Sequence, residues 1–341
     1  MTLRLGKPVA LPHPHRDVTC VALVSKQTLI ATASIVGKIT LWESSEGAEL
    51  MTLSGGHEDD CRVNALAFNS DGSVLASGGE DSRIILWDLA DLGAKIRFRI
   101  IEGHGPLVPI TCLSFSKSTS LLCSGGKDGD VLLWGNLGRP VCGRLRGHRS
   151  WVACCDFASD GSYVATGGYD HAICLWNTST FTIVATLRRH QAPVTKLQVA
   201  GEGSVIVSGD DDGLVLVSRK DGTILRTLKA HKDTISGIAV LASTGIILTT
   251  SYDWTIKVWS LRGQCLVSRK AHHGNVLDFA VSDDEDFYVT AADDFTAKVV
   301  PFVWDDAAPL EHEEIGRVKK SGMRTKRHAM AGEYDDYDDD E

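Results

Sequence analysis

The sequence predicts an all-β fold, and three observations lead to that prediction. One motif recurs seven times along the chain, at intervals of 41 to 47 residues. A histidine precedes the end of each copy by 27 to 30 residues. Each unit holds four short β-rich runs bounded by Gly, Asp and Ser turns, and none has the periodicity of a helix. A period of about 40 to 45 residues with four strands per unit is typical of a propeller blade. The sequence therefore predicts a seven-bladed β-propeller of four-stranded antiparallel blades.

The seven copies keep the motif to different degrees. The strong copies are SGGEDSRIILW (77–87), SGGKDGDVLLW (124–134), TGGYDHAICLW (166–176) and TTSYDWTIKVW (249–259). The weaker copies are TASIVGKITLW (32–42), SGDDDGLVLVS (208–218) and TAADDFTAKVV (290–300). In these, Val36 replaces the aspartate of blade 1, and Ser218 and Val300 replace the tryptophans of blades 5 and 7. The seven upstream histidines are His15, His57, His104, His148, His190, His231 and His272.

Closing the ring requires one strand more than the seven copies supply. The last blade lacks its outer strand, and the stretch from Thr2 to Leu11 is available to fill it. Pairing the two ends of the chain in one blade removes exposed sheet edges. We therefore expect residues 1–302 to form a propeller that the N-terminal strand closes.

The repeat register resembles that of the WD-repeat (WD40) β-propeller family over residues 2–302. The resemblance rests on Gly-His pairs such as Gly56-His57 and on the Ser/Thr, Asp and Trp of each unit, since only Trp87 is followed by aspartate. It implies that His, Ser/Thr, Asp and Trp of one blade form a buried hydrogen-bond chain, which would satisfy their polar groups. The matching sets, called tetrads below, are His57-Ser77-Asp81-Trp87, His104-Ser124-Asp128-Trp134, His148-Thr166-Asp170-Trp176 and His231-Thr249-Asp253-Trp259.

Serine, histidine and aspartate are also the components of a hydrolase triad. A hydrolase needs one triad beside one oxyanion hole, whereas this chain has four near-identical sets, two of them with threonine at the nucleophile position. The sequence favours a structural role for these residues and predicts no catalytic residue.

The composition excludes several classes of protein. The chain has 341 residues, 43% of them hydrophobic and 23% charged, as globular proteins do. A net charge of −9 disfavours direct binding of nucleic acid. The sequence contains no apolar run of about 18 residues and no signal peptide, so we expect no membrane insertion. Nine cysteines without a CxxC pair indicate reduced thiols, and hence an intracellular protein of the cytoplasm or nucleus.

Residues 303–341 have a different composition, with a basic run followed by an acidic end. The acidic end contains seven acidic residues among the last nine, and the basic residues before it are Arg317, Lys319, Lys320, Arg324, Lys326 and Arg327. Such a segment cannot bury enough apolar surface to fold, so we expect a disordered tail. It is open to four interpretations: a solvated end, a nuclear-import signal, an acidic contact for a basic protein such as a ribosomal protein or histone, or an acidic end that folds back on the basic run.

Two classes of function fit this organisation. The first is a non-catalytic scaffold or adaptor that holds several proteins, as the family resemblance implies. An adaptor in ribosome assembly or chromatin that uses the acidic tail is an alternative assignment within this class. The second is an enzyme or small-molecule binder that uses the central channel, which needs a distinct cluster of carboxylates, histidines or metal ligands near the axis. No such cluster breaks the repeat, so the sequence favours the scaffold and predicts no cofactor and no metal.

One face of the ring is the better candidate for a partner site. The turn that holds the aspartate and the loop after the histidine emerge at the same end of each blade. Blades 4 and 6 place aromatic and basic residues there, and blade 7 adds Phe295. Such residues dominate interface hot spots, although Trp151 or Trp254 packed sideways on a neighbouring blade is an equal alternative. We expect a protein-binding site at Arg149, Trp151, Tyr169, Tyr252 and Trp254.

Overall fold

The computed structural model describes residues 2–12, 17–24, 28–135, 139–140 and 144–305. Every helix or strand in these ranges is a β-strand. Blade 1 contains β3 (Val18–Val24), β4 (Leu29–Ser34), β5 (Ile39–Glu43) and β6 (Glu49–Leu53). Blade 2 contains β7 (Val63–Phe68), β8 (Val74–Gly79), β9 (Ile84–Asp88) and β10 (Arg97–Ile101). Blade 3 contains β11 (Ile110–Phe115), β12 (Leu122–Gly126), β13 (Asp130–Gly135), β14 (Arg139–Pro140) and β15 (Leu145–Arg146).

Blades 4 to 7 repeat this order along the rest of the chain. Blade 4 contains β16 (Val152–Phe157), β17 (Tyr163–Gly168), β18 (Ile173–Asn177) and β19 (Ile183–Leu187), and blade 5 contains β20 (Val194–Ala200), β21 (Val205–Asp210), β22 (Leu214–Arg219) and β23 (Ile224–Lys229). Blade 6 contains β24 (Ile235–Val240), β25 (Ile247–Ser251), β26 (Thr255–Trp259) and β27 (Cys265–Lys270). Blade 7 contains β28 (Val276–Val281), β29 (Phe287–Ala292) and β30 (Ala297–Asp305), joined by β1 (Thr2–Leu5) and β2 (Val9–Leu11).

The strands form seven separate antiparallel sheets, which confirms the predicted seven-bladed propeller. In each sheet the first strand lies innermost and the chain moves outward. Because consecutive strands run antiparallel, the loops that enter the first strands and the turns between the second and third strands share one end of the ring, here called the upper face. The remaining turns lie on the opposite end, the lower face.

The predicted closure of the ring is also confirmed. Both β1 and β2 pair antiparallel with β30, with Leu5 opposite Phe302 and Leu11 opposite Ala297. Gly6 connects them and donates its N–H to the Pro301 carbonyl at 2.9 Å. A Cβ at Gly6 would lie 2.7 Å from Pro301 Cγ, so this close approach requires glycine. The last strand runs to Asp305, three residues past the predicted boundary at 302; residues 306–341, most of the predicted tail, lie outside the described residues.

The core consists of apolar layers between neighbouring blades. One layer joins Leu41 of blade 1 to Leu75 and Trp87 of blade 2. Another joins Trp42 to Val289 of blade 7. Third strands such as IILW bury side chains on both sheet faces, which explains why their apolar residues are consecutive. Each large side chain buried in this way contributes about 1.5–3 kcal/mol to stability.

Each innermost strand carries a β-bulge at the same position, for example between Val18 and Cys20 and between Val194 and Lys196. The extra residue of a bulge re-aims a side chain. Here Thr19 and Thr195 each donate a hydroxyl hydrogen bond to the first-strand backbone of the next blade, at 2.6 Å in both cases. The residues that follow the bulge line the axial channel.

Candidate functional site

The predicted tetrads lie beneath the upper face, and blade 2 shows their geometry. Trp87 Nε1 donates to Ser77 Oγ at 2.9 Å. His57 Nε2 lies 2.7 Å from the same oxygen, and His57 Nδ1 lies 3.0 Å from Asp81 Oδ2. The chain of four side chains thus ties the third strand to the loop that enters the blade and to its upper turn. Each such hydrogen bond contributes about 0.5–1.5 kcal/mol.

The other three tetrads have the same arrangement. The distance from histidine Nε2 to the hydroxyl is 2.9 Å at Ser124 and 2.8 Å at both Thr166 and Thr249. The tryptophan N–H donates to that hydroxyl at 2.8, 2.8 and 3.0 Å, respectively. The histidine Nδ1 in turn lies within 2.9 to 3.2 Å of a carboxylate oxygen, the partners being His104-Asp128, His148-Asp170 and His231-Asp253.

The weaker blades keep part of the chain. In blade 7, His272 bonds Thr290 and Asp294, while Val300 fills the tryptophan position and is buried. In blade 1, Trp42 donates to Thr32 at 2.7 Å. His15 of that blade lies outside the described residues.

Blade 5 uses a different aspartate from the one that the motif alignment indicates. The alignment places Asp212 at the tetrad position. In the structure, His190 Nδ1 lies 2.8 Å from Asp210 Oδ2, and its Nε2 lies 2.8 Å from Ser208. Asp210 stands where most strong copies have their second glycine and also accepts the amides of Asp212 and Leu214. Asp212 itself is exposed.

The protonation states follow from burial and hydrogen bonding. Burial lowers the pKa of His272 to about 4 and also lowers the pKa of His104. Burial would raise the pKa of Asp81 and Asp170, but the hydrogen bonds that they accept from histidine and backbone amides outweigh it and lower both pKa values. In blade 7, hydrogen bonds lower the pKa of Asp294 despite its burial, so neutral His272 donates from Nδ1 to an ionised carboxylate and its Nε2 accepts from the Thr290 hydroxyl.

This arrangement leaves the hydroxyls closed to a substrate. Ser77, Ser124, Thr166 and Thr249 are all 0% exposed. Each oxygen already contacts histidine on one side and the indole N–H on the other. A nucleophile needs an open approach to a reacting carbon beside an oxyanion hole, and these hydroxyls have none.

The turn between the second and third strands of each blade requires a left-handed backbone at one position. Blades 1, 3 and 5 place a glycine at this position, with φ between +76° and +79° at Gly37, Gly129 and Gly213. Blades 6 and 7 instead place Trp254 at φ +72° and Phe295 at φ +67°. A bulky side chain in this conformation costs roughly 1–2 kcal/mol. These two are nevertheless exposed, by 42% and 57%.

The structure brings together part of the predicted binding site in blade 4. The rings of Trp151 and Tyr169 lie 5.2 Å apart, tilted by 51°. The Tyr169 amide donates to the Trp151 carbonyl at 2.9 Å, and the Lys127 ammonium lies 4.9 Å from the centre of the Trp151 ring. Both aromatic side chains are more than 40% exposed, and Arg149 beside them is exposed. The two rings and the Lys127 ammonium form one amphipathic surface.

Trp254 lies instead at the junction of blades 6 and 7. Its Nε1 donates to Asn275 Oδ1 at 3.1 Å, and Lys270 lies 4.7 Å from its ring centre. Tyr252, two residues before Trp254, is half-buried, and burial raises its pKa. The predicted residues thus include one exposed cluster in blade 4 and Trp254 at the junction of blades 6 and 7.

Two features of this region escaped the sequence reasoning. Leu107 is 93% exposed on the upper face at φ +60°. It lies three residues after His104, as Trp151 does after His148, so the shared offset was a usable signal. The second feature is an ion pair in the axial channel, where Lys196 Nζ lies 2.7 Å from Asp278 Oδ1.

The channel around this ion pair is narrow, and Asn64 and Thr111 add polar groups to its lining. Its volume is about 200 Å³. Burial would lower the pKa of Lys196, but Asp278 outweighs burial and raises it, so the ammonium stays charged. The positions equivalent to Lys196 and Asp278 in the other blades carry small or sulfur-bearing side chains, namely Cys20, Ala65, Cys112, Cys154 and Gly237. Burial raises the pKa of the Cys20 and Cys154 thiols, which makes them unreactive.

Across the described ranges, no three His, Cys, Asp or Glu side chains are grouped as metal ligands. Within those ranges there is also no helix with the length and apolarity needed to span a bilayer.

Comparisons with known proteins agree with this architecture. The chain is 33% identical over 75 residues to the pre-rRNA-processing protein IPI3 of Mycosarcoma maydis, 36% over 77 residues to WD repeat-containing protein 75 of Danio rerio, and 34% over 89 residues to WD repeat-containing protein 18 of Homo sapiens. These stretches are 22%, 23% and 26% of this chain but only 12%, 9% and 19% of those relatives. The family model described as the IFT122 first β-propeller matches residues 17–301. Because this match spans all seven blades, the chain belongs to the family of the IFT122 first β-propeller, among the WD-repeat propellers.

Proposed function

We propose that the protein is a non-catalytic platform that holds several other proteins, with its principal partner site on the upper face. The site comprises Arg149, Trp151, Tyr169, Tyr252 and Trp254, flanked by Leu107 and Phe295. The exposed aromatic side chains at positive φ carry this proposal. Glycine at these turns would relieve the backbone strain of the positive φ. Exposed apolar side chains also add little to the stability of the ring itself. Contact with another molecule explains both features, since Trp, Tyr and Arg dominate interface hot spots.

The axial channel supports a small-molecule function less well. Its volume of about 200 Å³ lies below the roughly 300–1,000 Å³ of typical ligand pockets. Lys196 and Asp278 neutralise each other there, and the tetrad hydroxyls are buried away from it. These observations favour the platform over an enzyme.

For the biological role we propose ribosome assembly, in the nucleus or cytoplasm. One relative with a similar stretch is a pre-rRNA-processing protein. The last nine residues carry seven acidic groups, which suit basic ribosomal proteins as partners. Histones present similar charge, so a chromatin adaptor is the competing outcome of the test.

Affinity purification with mass spectrometry tests both parts of the proposal. Tyr169→Ala/Tyr252→Ala is expected to remove a principal partner while the melting temperature changes little. Val184→Ala/Leu266→Ala is the matched control, because these side chains are 63% and 40% exposed on outer strands. Deleting residues 333–341 is expected to remove basic proteins but keep the upper-face partner. Survival of every partner in the tyrosine variant, or equal loss in the control, would place the site elsewhere. Recovery of histones without ribosomal proteins would replace ribosome assembly with the chromatin role.

A further inference from the structure

A large funnel opens on the lower face of the ring. Its volume is about 950 Å³, and turns of blades 3 to 7 surround it. The half-buried side chains of Phe115, Val240 and Val281 contribute apolar surface to its wall. The ionisable groups that line it are one ammonium, of Lys117, against four carboxylates, of Asp156, Glu202, Asp283 and Glu285. The net charge of the lining is therefore −3 when all five groups are ionised. A concave site lined by charges of one sign focuses its electric field, so this funnel attracts an incoming cation.

The one cation of the lining is held weakly. Lys117 of blade 3 reaches across the mouth of the funnel to Asp283 of blade 7, with Nζ 2.6 Å from Oδ1. Their side chains are 73% and 53% exposed, and ion pairs so exposed contribute little to stability. Another cation can replace Lys117 at small cost. Deeper in the funnel, burial raises the pKa of Asp156 to about 6, so a cation brought near it would favour its ionised form.

The chain leaves the described ring beside this funnel. The Phe302 amide donates to the Asp286 carbonyl at 2.7 Å, and Asp286 directly follows Glu285 of the lining. Three residues after Phe302 comes Asp305, the last described residue, followed by 36 more. Twelve residues, the separation of Asp305 and Arg317, can cover up to about 40 Å at full extension. Six Lys and Arg residues follow between 317 and 327, well within reach of the funnel.

We propose that the basic run, residues 317–327 of this chain, binds in the funnel, with its cationic groups on the rim carboxylates and its methylene stems on the apolar wall. Lys and Arg side chains bury their stems in this way. The acidic end of the same segment competes for the basic run, but pairs between two solvated segments are weak and screened by salt. The funnel walls reduce that screening, and the tether supplies a high effective concentration. The funnel is then occupied by the chain itself, and the acidic end stays available to partners.

Carbodiimide cross-linking of the full chain, followed by mass spectrometry, tests this proposal. Mixing isotopically light and heavy chains separates links within one chain from links between chains. Lys319, Lys320 or Lys326 is expected to link to Glu202, Asp283 or Glu285 within one chain, and the yield should fall at high salt. Links that join the basic run only to residues 333–341, links found only between chains, or the absence of any link to the funnel would overturn the proposal.

Isosteric variants sharpen the test without changing the shape of the funnel. Asp283→Asn/Glu285→Gln is expected to reduce the yield of the link to Glu202 about tenfold, which corresponds to about 1.4 kcal/mol. The control is Asp59→Asn/Asp60→Asn, which removes two exposed carboxylates from the upper face and should leave that yield unchanged. The melting temperature of each variant verifies that the ring is folded. An unchanged yield in the funnel variant, or an equal fall in the control, would contradict binding at the rim.

Discussion

Lys196 and Asp278 form an ion pair across the axis of the ring, although they belong to blades 5 and 7, which are not neighbours. The ammonium lies 2.7 Å from one carboxylate oxygen. The other oxygen accepts the Val21 amide of blade 1 at 3.0 Å. The side chains are 35% and 15% exposed, respectively. This single carboxylate therefore connects three blades at the centre of the molecule.

Removing either member of this pair should destabilise the ring, and the loss of Asp278 should cost more than the loss of Lys196. We expect Asp278→Leu to cost about 2–3 kcal/mol, because it breaks the ion pair and leaves the Val21 N–H unpaired. Lys196→Met should cost about 1–2 kcal/mol, because solvent partly reaches the carboxylate that remains. Denaturant unfolding of the two single variants and the double variant measures their coupling, expected to be about 1 kcal/mol or more. Strictly additive costs would show that the two charges do not stabilise each other.

The strained turn of blade 7 predicts a stabilising substitution. Phe295 is 57% exposed at φ +67°. We expect Phe295→Gly to raise the free energy of unfolding by about 0.5–1 kcal/mol, since relief of strain exceeds the entropic cost of glycine. Gly129→Ala is the opposite control, because its Cβ would lie 3.0 Å from the Ser150 carbonyl oxygen at φ +79°. Chemical denaturation measures both. A loss of stability in Phe295→Gly would mean that the ring, rather than a partner, needs this side chain.

The two candidate aspartates of blade 5 can be distinguished by mutation. Asp210 is 1% exposed and accepts three hydrogen bonds, from His190 and two backbone amides. We expect Asp210→Ala to cost about 2–3 kcal/mol, because it leaves buried donors unpaired. Asp212→Ala should change stability by less than about 0.5 kcal/mol, as exposed substitutions usually do. If thermal unfolding ranked the two variants the other way, the observed pairing of His190 would be incorrect.

The carboxyl group of Asp156 should make stability depend on pH in a mildly acidic range. Burial raises its pKa from 3.8 to about 6, against the hydrogen bonds from the Val199 and Phe157 amides and the charge of Lys117. Because the pKa of Asp156 is higher in the folded state than in the unfolded state, its protonated carboxyl favours folding. That contribution to stability is fully present below pH 3.8 and is lost as the pH rises through about 6. Relative to Asp156→Asn, the natural protein should lose about 1–2 kcal/mol between pH 4 and 7. Parallel unfolding curves for the two proteins over that range would refute it.

The repeat made the ring predictable, and its exceptions limited the prediction. Seven histidine-to-motif intervals define seven blades, and the missing outer strand identifies the partner of Thr2–Leu11. Asp210 was missed because a motif alignment counts positions, whereas in blade 5 the aspartate two positions before the aligned Asp212 pairs with His190. Sequence alone could not decide whether Trp254 is exposed, since the same side chain can pack on a neighbour or face solvent.

The channel pair and the funnel were beyond sequence reasoning for a different reason. Lys196 and Asp278 are 82 residues apart, and Lys117 and Asp283 are 166 residues apart. Nothing in their local sequence links them, because only ring closure brings blades 3, 5 and 7 around one axis. A residue at the channel-lining position that departs from small or apolar neighbours is the one signal available in advance.

The pairing of β1 with β30 also determines when the molecule can be completed during synthesis. Thr2 is made about 300 residues before its strand partner Asp305. At roughly 5–20 residues per second, β1 waits about 15–60 s on the ribosome for its partner. During that interval six blades can collapse in order, while β1 and β2 keep an unpaired edge. A nascent ring of this kind is most vulnerable to aggregation just before β30 emerges, and chaperone protection should matter most at that moment.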